Sequence, residues 1–212
     1  VSVTEPARLP RGRHGLTREE VAGDQRRRIT TAMAELMAEQ GYAATSVADV
    51  IGRAGVSRET YYQQFRSKPA CLLAAFDAAA NALFAPIQAR VDQHALAGRE
   101  PGPADRLEEF DELLGAYLRG IAAHPALARV FLVEVYAAGS EAMARRVQLQ
   151  ASITDSVALL LGAGDDRGRF ACQALVAAIS ALVTPLLVAD DLPGILALRE
   201  PIVDLAARSL LA

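Results

Sequence analysis

Residues 45–65 read TSVADVIGRAGVSRETYYQQF, and this stretch decides the fold. Ser46 followed three positions later by Asp49 is a capping box, in which a hydroxyl and a carboxylate close the first exposed N–H groups of a helix. Val47, Val50, Ile51 and Ala54 recur three or four apart and share one helix face. Gly55 follows, where a chain leaving a helix often takes a positive φ that glycine adopts cheaply. Val56 staples the next element and Ser57 supplies a second N-cap. Beyond it Tyr61 and Phe65 point inward, while Arg58, Glu59, Tyr62 and Gln63 share the opposite face. Two short helices joined by a glycine turn, the second with a polar outer face, describe a helix-turn-helix whose second helix enters the DNA major groove.

Toward the N-terminus, Thr17 and Glu20 form another capping box. Ile29, Ala32, Met33, Leu36 and Met37 then make an amphipathic stripe that ends at Gly41. This predicts a helix from about residue 18, either continuous or broken near Gly23. Arg26, Arg27 and Arg28 near its start are read as phosphate contacts or as a solvated face. Residues 1–16 hold Arg8, Arg11 and Arg13 among prolines and glycines with no apolar period. They read as a solvated tail, or as a flexible arginine-rich arm along the DNA.

Toward the C-terminus every apolar pattern has helical spacing. Ser67 caps a helix carrying Leu72, Leu73, Phe76, Ala80, Leu83 and Phe84, which Pro86 is expected to kink or divide. A loop at 98–103 precedes a helix over 105–123, another over about 126–136 and a third over 141–161. After a turn at 162–167 come a charge-free helix and a last amphipathic one with Pro201 in its first turn. No stretch alternates with period two, so the fold class is all-α, with about nine helices. The expected organisation is an arm over 1–16, a three-helix DNA-binding domain over 17–68, and a helical effector-binding and dimerisation domain over 69–212.

Charge distribution agrees with that division. The 22 Lys+Arg and 25 Asp+Glu leave the chain slightly acidic. Residues 1–70 carry 11 basic and 8 acidic side chains, a net of +3, and the rest carry 11 and 17, a net of −6. The positive character lies at the helix-turn-helix end. Cys71 and Cys172 sit in apolar helical patterns, as small buried hydrophobes in a reducing, cytoplasmic compartment do. Residues 170–189 are free of charge and long enough to span a bilayer. They are rich in alanine and hold Gln173, Ser180, Thr184 and Pro185, which suits a buried subunit interface rather than a membrane.

The ordered series Arg28-Ile29, Gly41-Tyr42, Thr45-Ser46-Val47-x-Asp49-Val50, Ala54-Gly55-Val56-Ser57-x-x-Thr60-Tyr61-Tyr62-x-x-Phe65 and Lys68 before Leu72 resembles the TetR family of bacterial transcriptional regulators. The likeness covers roughly residues 24–76. It implies a homodimer that binds a palindromic double-stranded DNA operator, usually as a repressor, and responds to a small molecule held in the C-terminal domain. It places Thr45 and Ser46 where the second helix meets phosphate, and Thr60, Tyr62 and Lys68 on the backbone as well. Arg58, Glu59 and Gln63 fall on the variable face that reads bases. Gln63 and Gln64 stand where a histidine or another aromatic is frequent, and Glu59 where a small residue is common. Glu59 reads either as a base contact or, at the helix start, as a group orienting Arg58.

For a partly apolar effector, candidates are Phe110, Leu114, Tyr117, Phe131, Glu134, Gln148 and Ser152. For the dimer interface they are Ala174, Leu175, Ala178, Ile179, Leu182 and Val183, where small residues allow close helix approach. No cofactor, metal site or catalytic residue is expected. His14, His94 and His124 are scattered, and no phosphate loop, zinc-spaced cysteine pair or nucleophile elbow occurs. The alternatives are a regulator without small-molecule input, whose C-terminal half serves dimerisation or protein binding, and, remotely, a helical-bundle enzyme.

Overall fold

The computed structural model describes residues 17–96 and 102–210, so the expected N-terminal arm and most of the 98–103 loop lie outside the described residues. These residues form α-helices and one 3₁₀ turn, with no strand among them. Helix α1 spans Arg18–Ala44. Thr17 caps it as the sequence requires: its Oγ1 accepts from Glu20 N–H at 3.2 Å, and its own N–H donates to Glu20 Oε2 at 2.6 Å. The helix passes Gly23 unbroken. At Gly41 the backbone turns to φ 80°, ψ 162°, which kinks the helix just before Tyr42. Helix α2 spans Val47–Ala54 and α3 spans Arg58–Gln64. Gly55 between them has φ 61°, the left-handed value that the turn requires.

Helix α4 runs from Lys68 to Leu96 in one piece, so Pro86 does not divide it. Its first turns bury Cys71, Leu72, Ala75 and Phe76 in the core they share with α1. Helices α5 (Pro103–Ala123) and α6 (Pro125–Leu132) follow, each opened by a proline where a missing N–H costs nothing. The helix expected over 126–136 stops four residues early. Residues Glu134–Ala137 form a 3₁₀ turn instead, which redirects the chain into α7, Ser140–Leu161. Helix α8 spans Asp166–Val188, and the single last helix expected is two, α9 (Leu192–Ala197) and α10 (Arg199–Leu210). Pro201 does fall in the first turn of α10.

Two sets of contacts place the sites. Helix α1 packs against α2 and α4 on one side and against α6 and the 3₁₀ turn on the other. Helices α4, α5 and α7 surround a cavity that α6 and α8 close. Arg199 on α10 clamps α5 through Asp111, its Nε and Nη2 donating to the two carboxylate oxygens at 2.5 and 2.9 Å.

Candidate nucleic-acid interface and effector cavity

Burial of one face of α3 presents the other. Tyr61 and Phe65 are in the core with their ring centres 5.9 Å apart, so Arg58, Glu59, Tyr62 and Gln63 are all exposed. The Arg58 guanidinium lies 5.6 Å from the centre of the Tyr62 ring. Gln63 Nε2 donates to Glu59 Oε1 at 3.2 Å; Glu59 therefore orients Gln63 rather than Arg58. Ser57 Oγ accepts from Thr60 N–H at 3.0 Å and lies 2.9 Å from Thr60 Oγ1. At the start of α2, Ser46 is exposed and its Oγ donates to Asp49 Oδ2 at 2.6 Å. Hydrogen bonds from the Ser46 side chain and backbone hold the Asp49 carboxyl below the usual carboxylate range.

Two expected DNA contacts are engaged within the chain, Thr45 buried and Arg28 exposed. Thr45 is 1 % exposed, and its Oγ1 donates to Gly41 O at 2.8 Å, so it closes the end of α1 and has no surface for phosphate. Arg28 Nη2 donates to Ala54 O at 2.6 Å and to Gly55 O at 3.0 Å, capping the C-terminus of α2. Arg26 does the same for α3, with Nη1 donating to Gln64 O at 3.2 Å and the guanidinium 4.4 Å over the Phe65 ring. A cation at a helix C-terminus offsets the partial negative charge of the last carbonyls. The third of the consecutive arginines, Arg27, pairs with Asp24 at 2.7 Å, and all three are exposed. Arg53 completes the frame with a bidentate pair to Glu39 at 2.7 and 2.8 Å. Lys68 Nζ donates to Tyr42 O at 2.6 Å and stands 4.1 Å from the Tyr42 ring centre. Burial lowers its pKa. An ammonium has three N–H donors, so two remain for phosphate.

In the second half, Phe110, Leu114, Tyr117 and Phe131 line one cavity, together with Phe84, Ile153 and Val157. The rings form a cluster: Phe84 lies 5.3 Å from both Tyr117 and Phe131. The other three expected contacts are elsewhere. Gln148 is exposed on α7, and Ser152 is exposed at a groove beside the cavity. Glu134 sits on the 3₁₀ turn, where its Oε2 accepts from Tyr42 N–H at 2.8 Å. The polar residues that do line the cavity include Arg146 and Gln150. Their signal was in the sequence: the inward stripe Ile153, Val157, Leu160 continues backward at helical spacing through Gln150 to Arg146. Gln148 is two positions from both Arg146 and Gln150, about 200° around the helix, and Ser152 is one position from Ile153, about 100° off the stripe.

Helix α8 needs a similar correction. Leu175, Ile179 and Val183, expected at a subunit interface, are buried within the protomer. Ala174 and Leu182 are exposed and Ala178 is half-buried. They share an outer face with Ala177, Ala181, Phe170 (71 % exposed) and Val188.

A capped three-helix unit that holds out a short polar helix, backed by a larger all-helical body, defines a helix-turn-helix DNA-binding protein. A family profile described as bacterial regulatory proteins, tetR family, matches residues 29–75. The chain is 31 % identical over 156 residues to the HTH-type transcriptional regulator EthR of Mycobacterium tuberculosis, covering 73 % of this chain and 70 % of that protein. It therefore belongs to the TetR family, as a DNA-binding transcriptional regulator and not an enzyme. Among solved structures, the fold is similar to the fatty acid degradation regulator FadR of Bacillus halodurans, with a TM-score of 0.71 and 21 % identity over 85 % of this chain and 93 % of that one. It is similar also to FadR of Bacillus subtilis in complex with stearoyl-CoA, with a TM-score of 0.70 and 19 % identity over 84 % and 96 %.

Proposed function

We propose that the protein is a homodimeric repressor that grips a two-fold operator through α3 and releases it when a small, largely apolar molecule fills the cavity. The observation that carries the ligand response is the bond from Tyr42 N–H to Glu134 Oε2. Glu134 is three residues beyond Phe131, whose ring walls the cavity, and Tyr42 follows the break at the end of α1. Arg26, Arg28 and Arg53 fasten α3 and α2 to that same helix. A shift of the cavity wall at Phe131 thus has a short mechanical route to the DNA-reading face. The stearoyl-CoA bound by the Bacillus subtilis regulator supports an apolar ligand for a fold of this kind.

On this reading Arg58, Glu59 and Gln63 contact base edges, and Ser46, Thr60, Tyr62 and Lys68 hold phosphates. Residues 17–68 serve DNA, and 69–212 serve the effector and the second subunit. The outer face of α8 packs against its own copy, and the protein works in the cytoplasm where its operator is. The test begins with selection of bound sites from random DNA and light scattering on the eluted protein. A thermal-shift screen of small apolar molecules, followed by titration of the selected operator with each hit, completes it. An inverted repeat, a dimer and weakened operator binding with a stabilising hit are expected. Hits that stabilise the protein yet leave operator affinity unchanged would favour a regulator without small-molecule input.

A further inference from the structure

The cavity contains a charge that its surroundings do not neutralise. Arg146, on α7, is 7 % exposed and lines an otherwise mostly apolar chamber. Its contacts are one long hydrogen bond, Nη1 to Phe131 O at 3.4 Å, and the faces of Phe131 and Tyr136, whose ring centres lie 5.6 and 5.1 Å from the guanidinium carbon. No carboxylate pairs with it among the described residues. A guanidinium carries five N–H donors and remains charged at any physiological pH, and burying such an ion without a counter-ion is unfavourable. Cation–ring contacts recover part of that, and an arriving anion would recover the rest. Tyr117 lies close enough to feel the charge: burial pushes its phenol upward in pKa, and Arg146 pulls it back.

We propose that the cavity takes an amphipathic carboxylic acid, with its carboxylate against Arg146 beside Tyr117 and its apolar body among Phe84, Phe110 and Phe131. This rests on the ligand-responsive reading above and specifies the ligand class. The enclosed space is about 60 Å³, so anything longer than a few carbons extends outward past Phe84, Ile87 and Ile153. These residues also line the adjoining groove of about 420 Å³ between α4 and α7. The direction of the ligand follows from Arg146, the charged side chain in the described lining of the cavity: the anionic head sits against it and the tail points out. A coenzyme A thioester has no carboxylate to offer that guanidinium, which separates it from the free acid.

Calorimetric titration of the purified full chain with octanoate, octanol and octanoyl-CoA tests this, alongside the Arg146→Met and Arg146→Lys variants. Octanoate should bind about ten- to a hundredfold more tightly than octanol, the range expected of a hydrogen bond to a charged partner in a buried site. Arg146→Met should abolish that preference while leaving octanol binding in place, and Arg146→Lys should retain part of it. Equal binding of acid and alcohol to the wild-type protein, no binding of octanoate, or tighter binding of octanoyl-CoA than of octanoate overturns the proposal. So does an Arg146→Met variant that keeps the preference. If the methionine variant fails to fold, the acid-to-alcohol ratio in the wild type and in Arg146→Lys still decides. Octanoate that binds through Arg146 but does not alter operator affinity would leave this site standing and remove the ligand-responsive reading instead.

Discussion

At the scale of single residues, the arginines near the DNA-reading helix divide into two kinds. Arg58 is exposed on the outer face of α3 beside the Tyr62 ring, whereas Arg28 is spent on the carbonyls of Ala54 and Gly55. Their truncations should differ in kind. Arg58→Ala should cost about 1–3 kcal/mol of discrimination at one or two base positions and leave the melting temperature unchanged. Binding to a set of singly mutated operators reads this, and a uniform loss across the set would place Arg58 on phosphate. Lys68→Ala should weaken binding across all sequences and reduce the salt slope. Arg28→Met should lower stability by about 1 kcal/mol, less than a buried charged hydrogen bond because the side chain is exposed to water, without changing base preference. Urea denaturation alongside the same operator set distinguishes the two arginines. The capping boxes at Thr17 and Ser46 and the positive φ at Gly55 were legible in sequence because each depends on neighbours within a turn. The backbone acceptors of Arg26 and Arg28 were not, because they lie 38 and 26 residues further along the chain.

At the scale of elements, helix existence was readable except at the end of the chain, where one expected helix is two, and helix ends were less so. Helices announce themselves by a period summed over many residues, while an end depends on a few tertiary contacts. The 3₁₀ turn after α6 illustrates this. Its residues continue an apolar run that reads as helix, yet the chain leaves the α-helix at Val133, with φ −118° and ψ −62°, and Glu134 reaches Tyr42. The same turn carries Tyr136, one of the two rings over Arg146, so cavity and latch share one short segment. Glu134→Ala should therefore separate binding from response. A cavity ligand should still raise thermal stability, because the lining residues are intact, but its effect on operator affinity should shrink several-fold. Glu134→Gln, which keeps an acceptor for Tyr42 N–H, should preserve most of the effect. Paired thermal-shift and operator titrations with one ligand check both. Equal coupling in the alanine variant and the wild type would move the route of transmission away from this contact.

At the scale of the whole molecule, α8 faces two environments. It is long and apolar enough to cross a membrane, yet one side is packed into the protomer's core through Cys172, Leu175, Ile179, Val183 and Leu187. The sequence pattern showed an apolar helix without showing which side met its own chain, because a helix apolar all round has no stripe to orient it. The outer side leaves Leu182 46 % and Val188 53 % exposed, on the face we assign to the second subunit. A two-fold contact repeats every residue, so one introduced charge appears twice in the interface, facing its own copy or apolar surface. Leu182→Glu should consequently convert the dimer to a monomer in light scattering at micromolar concentration, with helical circular dichroism unchanged because the residue is not part of the protomer's core. Two linked recognition helices on half-sites one helical turn apart bind far more tightly than either alone. The variant should therefore lose about a hundredfold or more in affinity for the full inverted repeat and keep its weak affinity for a half-site. A Leu182→Glu protein that stays dimeric would exclude this face as the interface. A monomer that still binds the full repeat at wild-type strength would show that dimerisation does not set operator affinity.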